Sequence, residues 1–184
     1  MELLKKRKYA VIITVIVAVL ATLIGVNKSL SRLSRDIEGM FYDGVYLESS
    51  GYTQPGIDTQ IAKHSDAALG LATVLINYPE LQNSAEEVLG LRRELLDAVS
   101  ISEKSLAFGI LSQKVNNLIQ AAPEVKLTER DIIAVARYSV TIDGAETFIT
   151  NAAYNEKASE LWNERSIFAR VLGVILPARA PDMF

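Results

Sequence analysis

Cysteine is absent from these 184 residues, and histidine occurs once. The first absence removes disulfides, thiolate metal sites and cysteine nucleophiles together. His64 is the single imidazole, so a serine triad has one possible base. A carboxylate metal site of the di-iron bundle type needs Glu-x-x-His on paired helices. Here Ile61 stands three residues before His64 and no second histidine exists. Nor is there a glycine-rich phosphate loop, a dinucleotide fingerprint or a zinc spacing. Proline is scarce, with five residues, and no Ser- or Pro-rich run marks a second domain. The expectation is a protein without catalytic activity, cofactor, metal or small-molecule substrate.

Against these absences stands one long uncharged run, Tyr9 to Val26 (YAVIITVIVAVLATLIGV), broken only by Thr14 and Thr22. As a helix, 18 residues cover ~27 Å, close to the ~30 Å of a bilayer core. A buried globular helix would carry a broader polar stripe. The run therefore reads as a membrane span, with Tyr9 at one interface. Lys5, Lys6, Arg7 and Lys8 precede it, and its far end lacks an Ala-x-Ala cleavage pattern, which favours an uncleaved signal-anchor over a removed signal peptide. The basic cluster of residues 1–8 keeps the N-terminus cytoplasmic and sends the rest outside the cell membrane. Four of the 19 basic and one of the 22 acidic residues precede the span, leaving 15 and 21 beyond it. That tethered part, at about −6, argues against nucleic acid as a partner.

Beyond the span, Leu30, Leu33, Ile37, Met40/Phe41 and Val45 step by three and four, so the anchor helix continues to about Val45. Leu47 to Gly56 then reads as a plain break. Phe41, Tyr42, Tyr46 and Tyr52 gather there, either as a surface for a partner or as a cap on the bundle end. A second helix spans Ile57 to Asn77, with Ile57, Ile61, His64, Ala68, Leu71 and Leu75 on a coiled-coil-like seam. Tyr78-Pro79 closes it. On that seam His64 is expected as a hydrogen-bonded core residue.

Ser84 and Glu87 form a capping box that opens a third helix running to Pro123. Its inward positions include Val88, Leu91, Leu95, Ala98 or Val99, Leu106, Ile110, Val115 and Leu118. Thr128 and Asp131 cap a fourth helix through Ile132/Ile133, Ala136, Val140, Phe148, Ala152, Leu161 and Trp162 to Phe168, continuous across a soft point at Asp143-Gly144. The fold class is all-α: a transmembrane helix continuing into an antiparallel up-down four-helix bundle, residues 27–168. Residues 169–184 form an apolar tail carried back to the bilayer. Arg170, Val171, Leu172, Val174 and Ile175 lie at the membrane interface or fold onto the bundle.

Five fragments in order, Asn27-x-x-Leu30-x-x-Leu33, Tyr78-Pro79-Glu80-Leu81, Asn117-x-Ile119, Tyr154-Asn155…Trp162-Asn163 and Val171-Leu172-Gly173-Val174…Pro177…Phe184, span nearly the whole chain. In these the chain resembles the LemA family, small membrane-anchored helical bundles of the bacterial cell envelope. It departs from that pattern at the Gly/Tyr/Pro stretch around Tyr52, in the spacing of the fourth-helix asparagines, and in lacking a proline after Phe168. The resemblance implies no catalytic residues, and an envelope protein or a second copy as partner. Without a family, the alternative is a sensory or ligand-binding ectodomain. With eight residues before the span, such a sensor would signal through a partner membrane protein.

Overall fold

The computed structural model describes residues 7–164, 182 and 184, and four fifths of these described residues are helical. The fold is all-α apart from one small hairpin. Helix α1, Arg7–Asp43, is one unbroken rod of 37 residues that carries the apolar run and the Leu30/Leu33/Ile37 stripe without interruption. It stops because Gly44 turns left-handed, at φ 96°, and its N–H closes back on the Met40 carbonyl at 2.9 Å. A Cβ at this position would run into the Gln54 carbonyl, so glycine is required twice over.

The expected plain break is an antiparallel hairpin. Strand β1, Val45–Leu47, pairs with β2, Tyr52–Gln54, in the register Val45↔Gln54, Tyr46↔Thr53 and Leu47↔Tyr52. A turn closed by the N–H of Gly51 on the Leu47 carbonyl, 2.9 Å, joins them. Val45, Tyr46, Tyr52 and Thr53 are β-branched or aromatic residues that favour this pleat.

Helix α2 follows at Ile57–Leu75, and its six seam residues, Ile57, Ile61, His64, Ala68, Leu71 and Leu75, are all buried as the spacing predicts. The third helix is two. Helix α3, Gln82–Asp97, ends where Ala98 adopts an extended backbone (φ −65°, ψ 126°), and α4 starts afresh at Ile101–Ala121. The capping box sits at this break rather than at Ser84. Ser100 Oγ accepts from the Glu103 N–H at 3.1 Å, while Glu103 Oε2 accepts from the N–H groups of Ser100 (3.0 Å) and Val99 (2.9 Å). Ser84 lies inside α3, past a start at Leu81 that has no side-chain cap.

After a 3-10 turn at Ala122–Glu124, Thr128 caps helix α5, Glu129–Thr150, as expected, accepting from the Asp131 N–H at 3.2 Å. Asp143-Gly144 is helical throughout. The break falls later, at Asn151–Ala153, where Asn151 Nδ2 donates to the Thr147 carbonyl (2.8 Å) and Gln54 Oε1 accepts from the Ala153 N–H (2.9 Å). Helix α6, Tyr154–Glu164, is therefore a separate element.

The chain forms two compact units, one holding residues 38–157 with 182–184 and the other residues 1–37 with the stretch from residue 158. In the first, α2 packs on α3 and α5, and α3 packs on α4. Gly70 of α2 makes room for the Tyr138 ring of α5, which a Cβ there would strike. Several positions read as inward are not: Leu106, Ile110, Ile132, Ile133 and Val140 are exposed. The break at residues 98–100 resets the helical phase, so α4 buries Ile101, Phe108 and Leu111 in place of Leu106 and Ile110, while Val115 and Leu118 are buried as expected. Helix α5 spreads its apolar residues over several faces and turns only Val135, Ile142 and Ala145 fully inward. In the second unit Leu30, Leu33, Ser34 and Ile37 are buried along α1, whereas the window starting at Tyr9 has none of its residues buried. The interfacial tail residues Arg170, Val171, Leu172, Val174 and Ile175 lie outside the described residues.

Ser100→Ala removes a cap worth about 1 kcal/mol, whereas Ser84→Ala leaves stability within a few tenths of wild type. Urea unfolding of the two variants checks which serine starts a helix.

Candidate functional site

Of the sequence-predicted site residues, Tyr9 stands at the head of the apolar run, half exposed. Phe41 must be withdrawn from the partner surface. It is fully buried, with its ring 5.7 Å from Tyr154, 5.4 Å from Phe184 and 5.0 Å from Tyr42. Tyr42, Tyr46 and Tyr52 are exposed, but they do not make one patch. Side chains alternate along a strand, and in the observed register Tyr46 shares a face with Thr53 while Tyr52 shares the opposite face with Val45, Leu47 and Gln54. Tyr42 lies 5.2 Å from Lys104 Nζ, itself paired with Asp58 at 2.5 Å. The three tyrosines thus point to three settings rather than to one common surface.

The interior holds a polar junction instead. His64 of α2 is fully buried, and its Nε2 lies 3.1 Å from Glu146 Oε1 on α5. Ser112 Oγ of α4 donates to the same oxygen. One turn along α4, Asn116 Nδ2 reaches both carboxylate oxygens at 3.2 Å. Ser112 and Asn116 are four apart, so both face α5 from one side of α4. The ring of Phe108 covers the imidazole edge-on at 4.9 Å. One carboxylate therefore ties three helices together.

Burial lowers the His64 pKa below the ordinary 6.5, outweighing the opposing hydrogen bond and charge of Glu146. The imidazole is thus neutral near pH 7, and its single proton, carried on Nε2, donates to the carboxylate. That tautomer leaves a bare lone pair on Nδ1, and among the described residues neither Nδ1 nor the Oγ of Ser65, next in sequence, has a hydrogen-bond partner. Ser112 bonds the carboxylate and not the imidazole, so the geometry holds helices together rather than activating a hydroxyl.

A hydrogen-bonded core role for His64 is what its seam position predicts. The partners went unrecognised, although Glu146 falls in step with buried Ile142 on α5, a carboxylate on an inward face. Among the described residues no group of three or more His, Cys, Asp or Glu side chains comes together. No family model, curated protein or solved structure matches this chain.

Glu146→Ala strands the buried Nε2–H and should cost about 2–3 kcal/mol in urea unfolding, with Glu146→Gln costing less. Because the folded pKa of His64 is depressed, the unfolded state takes up a proton first as pH falls below 6.5. The Tm of wild type should fall between about pH 7.5 and about pH 5.5. In His64→Gln that decline should be smaller.

Proposed function

We propose that the chain is a membrane-anchored helical-bundle module of the bacterial cell envelope that binds a protein partner or its own copies. The observation that carries this reading is α1. Its 18-residue window of mean hydropathy 2.7 has no buried residue, and Val11, Val15, Val19 and Ile24 are exposed. Lipid is the solvent that accepts such a surface. The basic residues Lys5, Lys6, Arg7 and Lys8 favour a cytoplasmic N-terminus and an outer bundle built on α2 to α5, of antiparallel up-down form. The resemblance to LemA proteins fits the same architecture. Ile132, Ile133 and Val140 on α5, with Val99, Leu106 and Ile110 around the start of α4, leave apolar side chains in water that a protein contact would cover.

A second reading, a ligand-binding ectodomain acting through a partner, draws support from an apolar cleft of about 470 Å³ between the end of α4 and the start of α5. Ile119, Val125, Leu127, Ile132, Val135 and Ala136 line it. A metabolite that raises the Tm would favour this reading over the interaction module.

Arginine at the centre of a span costs about 2.5–3.5 kcal/mol per residue. The double variant Val15→Arg/Val19→Arg should therefore move the protein from the carbonate-resistant membrane pellet into the supernatant. Retention of that variant in the pellet would remove the anchor from the account.

A further inference from the structure

Asp182 and Phe184 lie on the residue 38–157 unit. Main-chain groups of both residues bond to side chains of that unit. Tyr154 Oη donates to the Asp182 carbonyl at 2.6 Å, and Glu38 Oε1 accepts from the Asp182 N–H at 3.4 Å. Asn155 takes Phe184 from both sides: Oδ1 accepts from its N–H at 3.0 Å, and Nδ2 donates to its carbonyl. The Phe184 ring lies between Phe41, at 5.4 Å, and Phe108, at 5.8 Å. Phe41 and Tyr154 are themselves almost wholly buried. Burial, and after it the nearby carboxylates of Glu38 and Asp182, hold the Tyr154 pKa far above the usual phenol value, so its hydroxyl stays a donor.

Directional main-chain bonds from fixed side chains, with one aromatic anchor in an apolar socket, are the two elements of a peptide-recognition site. The socket walls come from α1 and α4 and the bonding groups from α1 and α6, so the site is built without residues 182–184. We infer that Glu38, Phe41, Phe108, Tyr154 and Asn155 form a receptor for an Asp-x-Phe segment, filled here by the chain's own Asp182 and Phe184 and exchangeable with the same segment of a second copy. A tethered segment acts at an effective concentration of about millimolar, so an added segment competes poorly until the tethered one is weakened. This inference stands on the aromatic socket and not on α1 in lipid, so either can fail alone.

The test uses full-length protein in detergent and a fluorescent peptide of residues 178–184. Phe184→Ala should bind the peptide at least tenfold more tightly than wild type. Adding Asn155→Ala to it should abolish binding, with circular dichroism and Tm showing that each variant is folded. Should Phe184→Ala not fold, Phe184→Leu, which keeps an apolar side chain in the socket, takes its place with the same expected order. A folded variant that leaves the peptide unbound, or equal binding with and without Asn155, overturns the inference.

Discussion

Apolar surface in water costs about 25 cal/mol per Å², and no residue in the apolar run of α1 is buried. The run lacks the polar stripe of a bundle helix, and the burial of α1 begins only at Leu30. From there the same rod supplies Ile37, Phe41 and then Val45 of the hairpin as buried residues. One continuous helix thus changes its surroundings along its length without a break in its backbone.

Within the residue 38–157 unit the organising contact is polar. Helix α2 is covered on one side by α3 and on the other by α5, and α4 is joined to α5 through Ser112 and Asn116 on the Glu146 carboxylate. Such a junction specifies which helix faces meet, because an unpaired imidazole in an apolar interior is costly. The apolar contacts around it are less particular. Phe108 serves both the imidazole and the socket that holds Phe184, which links the junction to the peptide-like contact.

The sequence was most legible where a pattern is local and long. The helix of the apolar run, the α2 seam and the Thr128 cap all follow from local pattern, since each depends on neighbours within a turn or two. It was least legible where two signals compete. Ser84-x-x-Glu87 and Ser100-x-x-Glu103 are equally good capping boxes, and only packing chose the second. Once Ala98 breaks the helix, the inward positions assigned to the first turns of α4 by continuing the earlier phase are displaced, so Leu106 and Ile110 come out exposed while Val115 and Leu118 stay buried. Asp143-Gly144 drew attention as a weak point, yet α5 holds through it and yields at Asn151, where a hairpin glutamine distant in sequence caps the chain. Phe41 looked like its tyrosine neighbours, but its helical phase carries it inward with Ile37. Glu146 could have been found as a lone carboxylate in step with buried apolar residues; its partners on α4 could not, because no periodicity relates them.

The absence of cysteine makes the central claim directly measurable, since any introduced thiol is unique. A fluorophore on Val11→Cys, Val15→Cys, Val19→Cys or Lys28→Cys, in vesicles carrying chain-labelled quencher lipids, reports depth residue by residue. The account predicts the strongest quenching at Val15 and Val19, less at Val11 and little at Lys28. Equal quenching at Val15 and Lys28 would contradict it.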